Sequence, residues 1–445
     1  MSTSARPPEG PAPSPGEDAA QHPSRMALAR LFGSSVIDQA LLSAANFAVG
    51  LILLRYSSET QYSYYILAFN AMMLLTTLQG SFIGTPLVIR LPRLDEAERR
   101  QWLGSLLRDQ RRWGLAGGLA ALAGTALAAC RDALPGEAWP VVPAAIALVL
   151  ASLYREYFRS VLQIYHRPHG VLAADTLYVA GIVAGAALAV RHAQAAALVL
   201  LASTAAALAS GLWLRAQLRG DIDAGAAGGR LREIARAGFW AASGGVVYWL
   251  FNQGYSFLTA ATLDLGAVAA LAASRLLMMP ANLLSAGVQK QLAPLASAWL
   301  AQAGAAATAR RLYGFAAGMG LATLLYAAAV WLMRDWIFLD VMRKDFAERD
   351  AMLLLWSALF VLMAVRSPPM LLAILRQRLP ELSAATLASA LLALALSYAG
   401  MLRWGAPGAI VGIIAGEFFY CLATAWLVRR EVRRAQIEEG GSRPG

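Results

Sequence analysis

Twelve apolar runs, each near the length of a bilayer crossing, occupy most of this chain. They fall at 31–54, 62–89, 113–130, 139–164, 170–190, 194–214, 238–260, 266–289, 312–333, 351–375, 382–401 and 406–428. A helix needs about 20 mainly apolar residues to span the hydrocarbon core. The third run is the shortest and the fourth the most charged. Only 15% of the 445 residues are charged and 58% are hydrophobic, whereas soluble domains carry roughly a quarter charged residues. The expected fold is all-α integral membrane, with about 12 transmembrane helices.

The formal charge of +11 would suit a nucleic-acid ligand if the basic residues formed a tract. They do not. They lie in short loops between apolar runs, where arginine orients a membrane protein and meets anionic headgroups. One side of the expected topology takes Arg25 and Arg30, then Arg90, Arg93, Arg99, Arg100, Arg108, Arg111 and Arg112, then Arg215, Arg219, Arg230, Arg232 and Arg236, then Lys290, Arg310, Arg311, Arg376 and Arg378, and finally Arg429, Arg430, Arg433 and Arg434. The other side holds Arg55, Arg131, Arg191, Arg403 and the acid-balanced set Arg334, Arg343, Lys344 and Arg349. This asymmetry puts both termini in the cytosol of a bacterial inner-membrane protein. Residues 1–29 are Pro-rich and polar without an apolar signal core, which predicts a disordered cytosolic tail. Cys130 and Cys421 cannot make a disulfide framework, and no zinc spacing occurs.

Residues 91–112 carry Leu94, Trp102, Leu103, Leu106 and Leu107 among charges and read as an amphipathic interfacial helix. Residues 216–237 fall at the midpoint of the helix count. They are the expected cytosolic linker between an N-terminal six-helix lobe (30–215) and a C-terminal one (238–428), with a cytosolic tail at 429–445. LQGSFIGTPL (78–87) is similar to SAGVQKQLAPL (285–295), and Met72–Met73 and Met278–Met279 fall at nearly the same offset. Because six is even, a duplication would give two parallel lobes around a central cavity. Gly181/Gly185, Gly314/Gly318 and Gly412/Gly416 are small-residue pairs that allow close helix contact.

The opening SSVIDQALLSAANFAVGLILLRYSSETQYSYYILAFNAMMLL, the segment REYFRSVLQIYHRP with the Asp-bearing helix after it, and the stretch from Phe239 to Pro294 resemble a family. It is the multidrug/oligosaccharidyl-lipid/polysaccharide (MOP) flippase superfamily, in particular its Wzx-like bacterial polysaccharide exporters. The resemblance covers about half the chain and implies alternating access of a cavity between two lobes. It implies a flippase that moves undecaprenyl-pyrophosphate-linked sugar units for exopolysaccharide, capsule or O-antigen synthesis. The expected partners are the lipid-linked sugar, membrane lipids and the polymerase and chain-length proteins of an export system, with no nucleic acid and no cofactor; the chain is expected to act as a monomer. A cation-coupled multidrug antiporter of the same superfamily is the alternative. A membrane-bound sugar polymerase or ligase is disfavoured, because the longest outer loop, about 334–350, is too short for a catalytic domain, and no Gly-Lys pair provides a nucleotide loop.

Ionisable side chains inside a bilayer are costly unless they face a cavity or a partner, so each is a candidate functional residue. The set is Asp38, Arg155, Glu156, Arg159, Asp175, Arg275, Arg366 and Glu417. Arg275 has Pro280 and Asn282 beyond it, and Arg366 precedes Pro368–Pro369; both are expected to take a pyrophosphate, which planar guanidinium suits. A structural pair such as Arg275–Asp38 is the other reading. Arg155 and Arg159 are read either as a funnel for the anionic substrate or, with Asp175 and Glu156, as an ion pair pinning a helical hairpin. Asp38 and Glu417 are candidates for ion coupling. Gln39, Asn46, Tyr248, Asn252 and Asn282 suit sugar binding in a wet cavity, and interhelical hydrogen bonds equally. Tyr62, Tyr64 and Tyr65 read as aromatic anchors at an outer interface. His166-Arg167-Pro168-His169 reads as an interfacial turn, and no metal site is expected. The arginines of this set favour an anionic load over cationic drugs.

Overall fold

A computed structural model describes residues 25–131, 135–165 and 167–441. The tail expected at 1–29 therefore falls almost wholly, and His166 wholly, outside the described residues. The described elements are helices: α1 (Arg25–Tyr56), α2 (Glu59–Gln79), α3 (Thr85–Arg90), α4 (Glu96–Ala129), α5 (Val141–Ile164), α6 (Pro168–Ala189), α7 (Ala195–Gln217), α8 (Leu231–Thr262), α9 (Leu265–Leu276), α10 (Met279–Leu332), α11 (Arg349–Leu375), α12 (Leu379–Trp404) and α13 (Ala406–Gly441). Among the described residues, nine helices are long and apolar enough to cross a bilayer. The other three expected crossings fall on α4, α8 and the short α9. The protein is thus an all-α, multi-pass membrane protein; six of the expected crossings fall on α1–α7, where the short α3 continues the α2 crossing, and six on α8–α13.

Local chemistry sets the helix ends. Ser58, Asp95 and Asp264 each accept the backbone N–H three residues on (Gln61, Glu98 and Ala267), which caps α2, α4 and α9. Pro280 has no N–H to donate to the Leu276 carbonyl, and the chain breaks at Leu277–Met278, so one expected crossing is divided between α9 and α10. Tyr326 donates its hydroxyl to the Leu277 carbonyl at 2.7 Å, satisfying one group at the break. Inside α10, Gly304 takes φ 72° and ψ 179°, a conformation closed to most side chains, and so separates two crossings.

The apolar face of the amphipathic stretch of α4, expected to lie in the membrane interface, packs on protein instead. Trp102, Leu103 and Leu106 are buried against Phe158, Val161, Leu214 and Leu218 at the Arg-rich end of the N-terminal lobe. Its apolar face covers protein because the segment that follows α7 folds back over it. The Asp223 N–H donates to the Arg100 carbonyl at 3.0 Å. The Asp109 carboxylate accepts from the Gly229 N–H at 2.8 Å and the Leu231 N–H at 3.0 Å, placing negative charge at the start of α8. That helix begins at Leu231, inside the stretch expected to be linker. At the other end of the chain, α13 continues past 428 as far as Gly441. Its Glu431, 1% exposed, accepts from Arg378 at 2.8 Å and Arg376 at 3.3 Å, clamping the α11–α12 turn.

Two of the three glycine pairs sit where helices touch. A Cβ on Gly181 or Gly185 would collide with Ala206 or Ala202 of α7, and one on Gly412 or Gly416 with Ser397 or Ala393 of α12. Gly314 and Gly318 face open space instead.

Candidate functional site

The lobes meet around a cavity of about 440 Å³, lined by α1, α2, the middle of α8, α9 and the start of α10. Of the expected polar residues, Gln39, Asn46, Asn282 and Arg275 line it. Tyr248 does not: it is 61% exposed, and its carbonyl accepts from Asn252 Nδ2 at 2.9 Å. The Asn252 side chain is thereby turned away, and its neighbour Gln253 faces the cavity. Tyr62 and Tyr65, expected at an outer interface, are buried and line the cavity, as do Tyr255 and Asn70. The run Tyr62-Ser63-Tyr64-Tyr65 looks interfacial in sequence because the cover supplied by α9 comes from another lobe; Ser63 Oγ donates to the Leu265 carbonyl there.

Arg275 is the only charged residue among the described residues that line the cavity. It stands on the last turn of α9, where the helix dipole favours a cation. Its Nη1 donates toward Gln253 Oε1 at 2.7 Å, Tyr255 Oη at 3.1 Å and the Asn252 carbonyl at 3.2 Å. The guanidinium carbon lies 5.6 Å from the Tyr255 ring centre and 5.5 Å from that of Trp356. Its Nε is buried without a hydrogen-bond partner. Neutral acceptors and aromatic faces orient the guanidinium and leave its charge uncancelled. The suggested Arg275–Asp38 pair does not form.

Asp38 belongs to a network in the N-terminal lobe. Arg159 Nη2 donates to Asp38 Oδ2 at 2.6 Å, Nε to Asp175 Oδ2 at 2.9 Å and Nη1 to Glu156 Oε1 at 3.2 Å. Arg155 pairs with the other oxygen of Asp175, which is fully buried, and donates from Nε to Ser210 Oγ at 3.1 Å. Arg159 thus ties α1, α5 and α6 together, and neither arginine lines the cavity.

Arg366 and Glu417, read from the sequence as separate sites, form one pair. Arg366 Nε donates to Glu417 Oε1 at 2.5 Å, with side chains 10% and 2% exposed, and the guanidinium covers the Tyr420 ring at 4.2 Å. A pocket of about 20 Å³, room for roughly one water, separates Glu417 from Arg275 and is bordered by Trp356.

These eight groups sum to zero charge, four arginines against four acids, so the set as a whole has no preference for anions. The charge is divided unevenly. Asp38, Glu156 and Asp175 against Arg155 and Arg159 leave −1 in the N-terminal lobe; Arg275 and Arg366 against Glu417 leave +1 in the C-terminal lobe. Among the described residues, no group of three or more His, Cys, Asp or Glu is placed to hold a metal ion.

No family model and no curated protein matches the sequence. Solved structures do match. The chain has the fold of the MOP-superfamily transporters. It superposes on the lipid II flippase MurJ in an inward closed conformation with a TM-score of 0.73, at 12% identity, covering 90% of this chain and 87% of that one. A multidrug resistance MATE family transporter in an inward-facing conformation gives 0.69 at 12% identity over 89% and 95% of the two chains. A MOP superfamily transporter from Pyrococcus furiosus gives 0.61 at 13% identity over 92% and 96%.

Proposed function

We propose that this protein is a flippase of the bacterial inner membrane that moves lipid-linked oligosaccharide, carried on undecaprenyl pyrophosphate, for surface polysaccharide synthesis by alternating access. The observation that carries this reading is Arg275, an uncancelled guanidinium in a cavity whose described lining holds no carboxylate. A cation held by neutral partners keeps attraction for an incoming pyrophosphate that a salt-bridged one has spent. Gln39, Asn46, Asn70, Gln253 and Asn282 around it offer donors and acceptors to sugar hydroxyls, and Tyr62, Tyr65 and Tyr255 offer stacking faces. The headgroup site is therefore assigned to Arg275 alone; Arg155, Arg159 and Arg366 take bracing roles. The fold is shared with the lipid II flippase and with multidrug MATE transporters alike, so the choice of load rests on Arg275.

A second reading, cation-coupled antiport, has one observation in its favour: the N-terminal lobe keeps a surplus carboxylate, and Asp38 Oδ1 is buried without a hydrogen-bond partner. The test is Arg275→Ala in a strain that depends on this protein for surface polysaccharide. Loss of polysaccharide with accumulation of cytosol-facing lipid-linked units, at normal protein levels, is expected. Unimpaired export would overturn the assignment, and resistance to cationic drugs on overexpression of the native protein would favour antiport.

A further inference from the structure

Away from the cavity, a groove of about 400 Å³ lies at the Arg-rich end of the N-terminal lobe, between α4, the end of α7 and residues 218–224. Arg108, Arg111 and Arg112 enter it from α4, Arg215 from α7 and Arg219 from the turn beyond. Asp223 is the one acid among its described lining residues, so five positive charges stand against one negative. That acid is engaged with the Gly225 N–H at 2.8 Å. Arg108 donates to the Ala224 carbonyl at 3.0 Å. None of the five arginines is within ion-pair distance of a carboxylate among the described residues.

Two tryptophans place this groove at the membrane surface. Trp113, next to Arg112, is 70% exposed, and Trp213, two residues before Arg215, is 50% exposed. Exposed indoles beside arginines are the mark of a headgroup-level belt. A second groove of about 520 Å³ continues from the first, sharing Arg111, Leu115 and Arg215 with it. It runs between α4, α5 and α7 past Ala147, Leu150, Leu208 and Leu212, and its walls are apolar. A cluster of uncancelled cations at headgroup depth that opens into an apolar crevice matches a molecule with a phosphate at one end and a hydrocarbon chain at the other.

We propose that these joined grooves hold an anionic phospholipid of that leaflet, its phosphate among Arg111, Arg215 and Arg219 and one acyl chain in the crevice between α4 and α7. The site shares no lining residue with the central cavity. It would join the part of α4 beyond Arg112, where most residues are exposed, to α5 and α7 through a lipid.

The full chain in neutral detergent micelles is titrated with dansyl-labelled phosphatidylglycerol and, separately, dansyl-labelled phosphatidylcholine, with energy transfer from tryptophan as the signal. Phosphatidylglycerol should bind roughly tenfold tighter or better, given about 1 kcal/mol for each arginine near the headgroup. The triple variant R111Q/R215Q/R219Q should bring the two lipids to within about twofold. A147W, which fills the crevice, should weaken both. These arginines are exposed, so the triple variant is expected to fold, and its elution as a single micellar species confirms that. Equal affinity for the two lipids in the native chain, or an unchanged preference in the triple variant, overturns the proposal. So does displacement of labelled phosphatidylglycerol by inorganic pyrophosphate as effectively as by the unlabelled lipid, which would make this a site for a soluble anion.

Discussion

Arg366 and Glu417, 51 positions apart in the chain, are joined at 2.5 Å between α11 and α13, and Tyr420 lies one turn beyond Glu417 beneath the guanidinium. The N-terminal lobe repeats the device. Arg155 pairs with Asp175 and covers Tyr178 at 4.2 Å, with the tyrosine again three residues after the acid. A carboxylate cancels the charge and an aromatic face takes the remaining positive surface, so the arginine is held at low cost in a medium where either charge alone would be expensive.

Breaking one partner of such a pair should cost far more than replacing both. Glu417→Gln strands Arg366 and is expected to destabilise the protein by about 3–5 kcal/mol. Glu417→Gln combined with Arg366→Met should recover most of that loss. Thermal unfolding in detergent, read for the single and double variants, checks this; a double variant as unstable as the sum of the two singles would count against the pairing.

Arg275 should respond differently, because no carboxylate depends on it. Arg275→Lys keeps the charge and loses the planar contacts to Tyr255 and Trp356. Stability is expected to stay within about 1 kcal/mol of native, while export falls about tenfold, the scale of losing a stacked, multiply bonded guanidinium. Comparing export rates with melting temperature separates the two effects. A large fall in stability with normal export would reverse the roles assigned to Arg275 and Arg366.

The nine apolar crossings among the described residues are legible in the sequence because burying an apolar run needs little beyond length. Arg275 stands out for a related reason: an arginine in such a run is rare whatever surrounds it. Its partners are not legible. Gln253 and Tyr255 reach it from another helix, and spacing carries no information across that gap. For the same reason Arg366 and Glu417 read as two sites. Tyr62 and Tyr65 read as surface anchors, although a second lobe covers them. The apolar face of α4 also misleads: an amphipathic helix covers membrane or protein with the same side chains, and only the fold-back of residues 218–231 decides which.

The glycine pairs allow a paired comparison. Gly185→Val would force a branched side chain into Ala202, and Gly412→Val into the backbone of α12. Overpacking of this kind costs about 1–3 kcal/mol or more where backbone must move. A Cβ on Gly314 meets nothing within 4 Å, and valine there gains helix propensity, so Gly314→Val should leave stability unchanged or slightly raised. Melting temperatures of the three variants check this, and equal losses in all three would remove the argument.

At the end of the molecule opposite the arginine-rich groove, α1 meets the second lobe through its last turn. Arg55 Nη1 donates to the carbonyls of Val341 at 2.6 Å and Asp340 at 3.2 Å, and Lys344 Nζ donates to the Ser57 carbonyl at 3.1 Å. If the cavity is sealed there while it receives its load, these bonds hold the seal. Charged donors to carbonyls contribute about 1.5–3 kcal/mol each. Removing both with Arg55→Ala and Lys344→Ala should therefore shift the population toward an arrangement open at this end, the outer one on the proposed topology, by about tenfold or more. The measurement replaces Cys130 and Cys421, places a cysteine at Asn282 in the cavity, and applies a membrane-impermeant maleimide from outside. Faster labelling of the double variant than of its parent is expected. Equal labelling, with protein levels and folding matched, would mean that the seal lies elsewhere along the lobe interface.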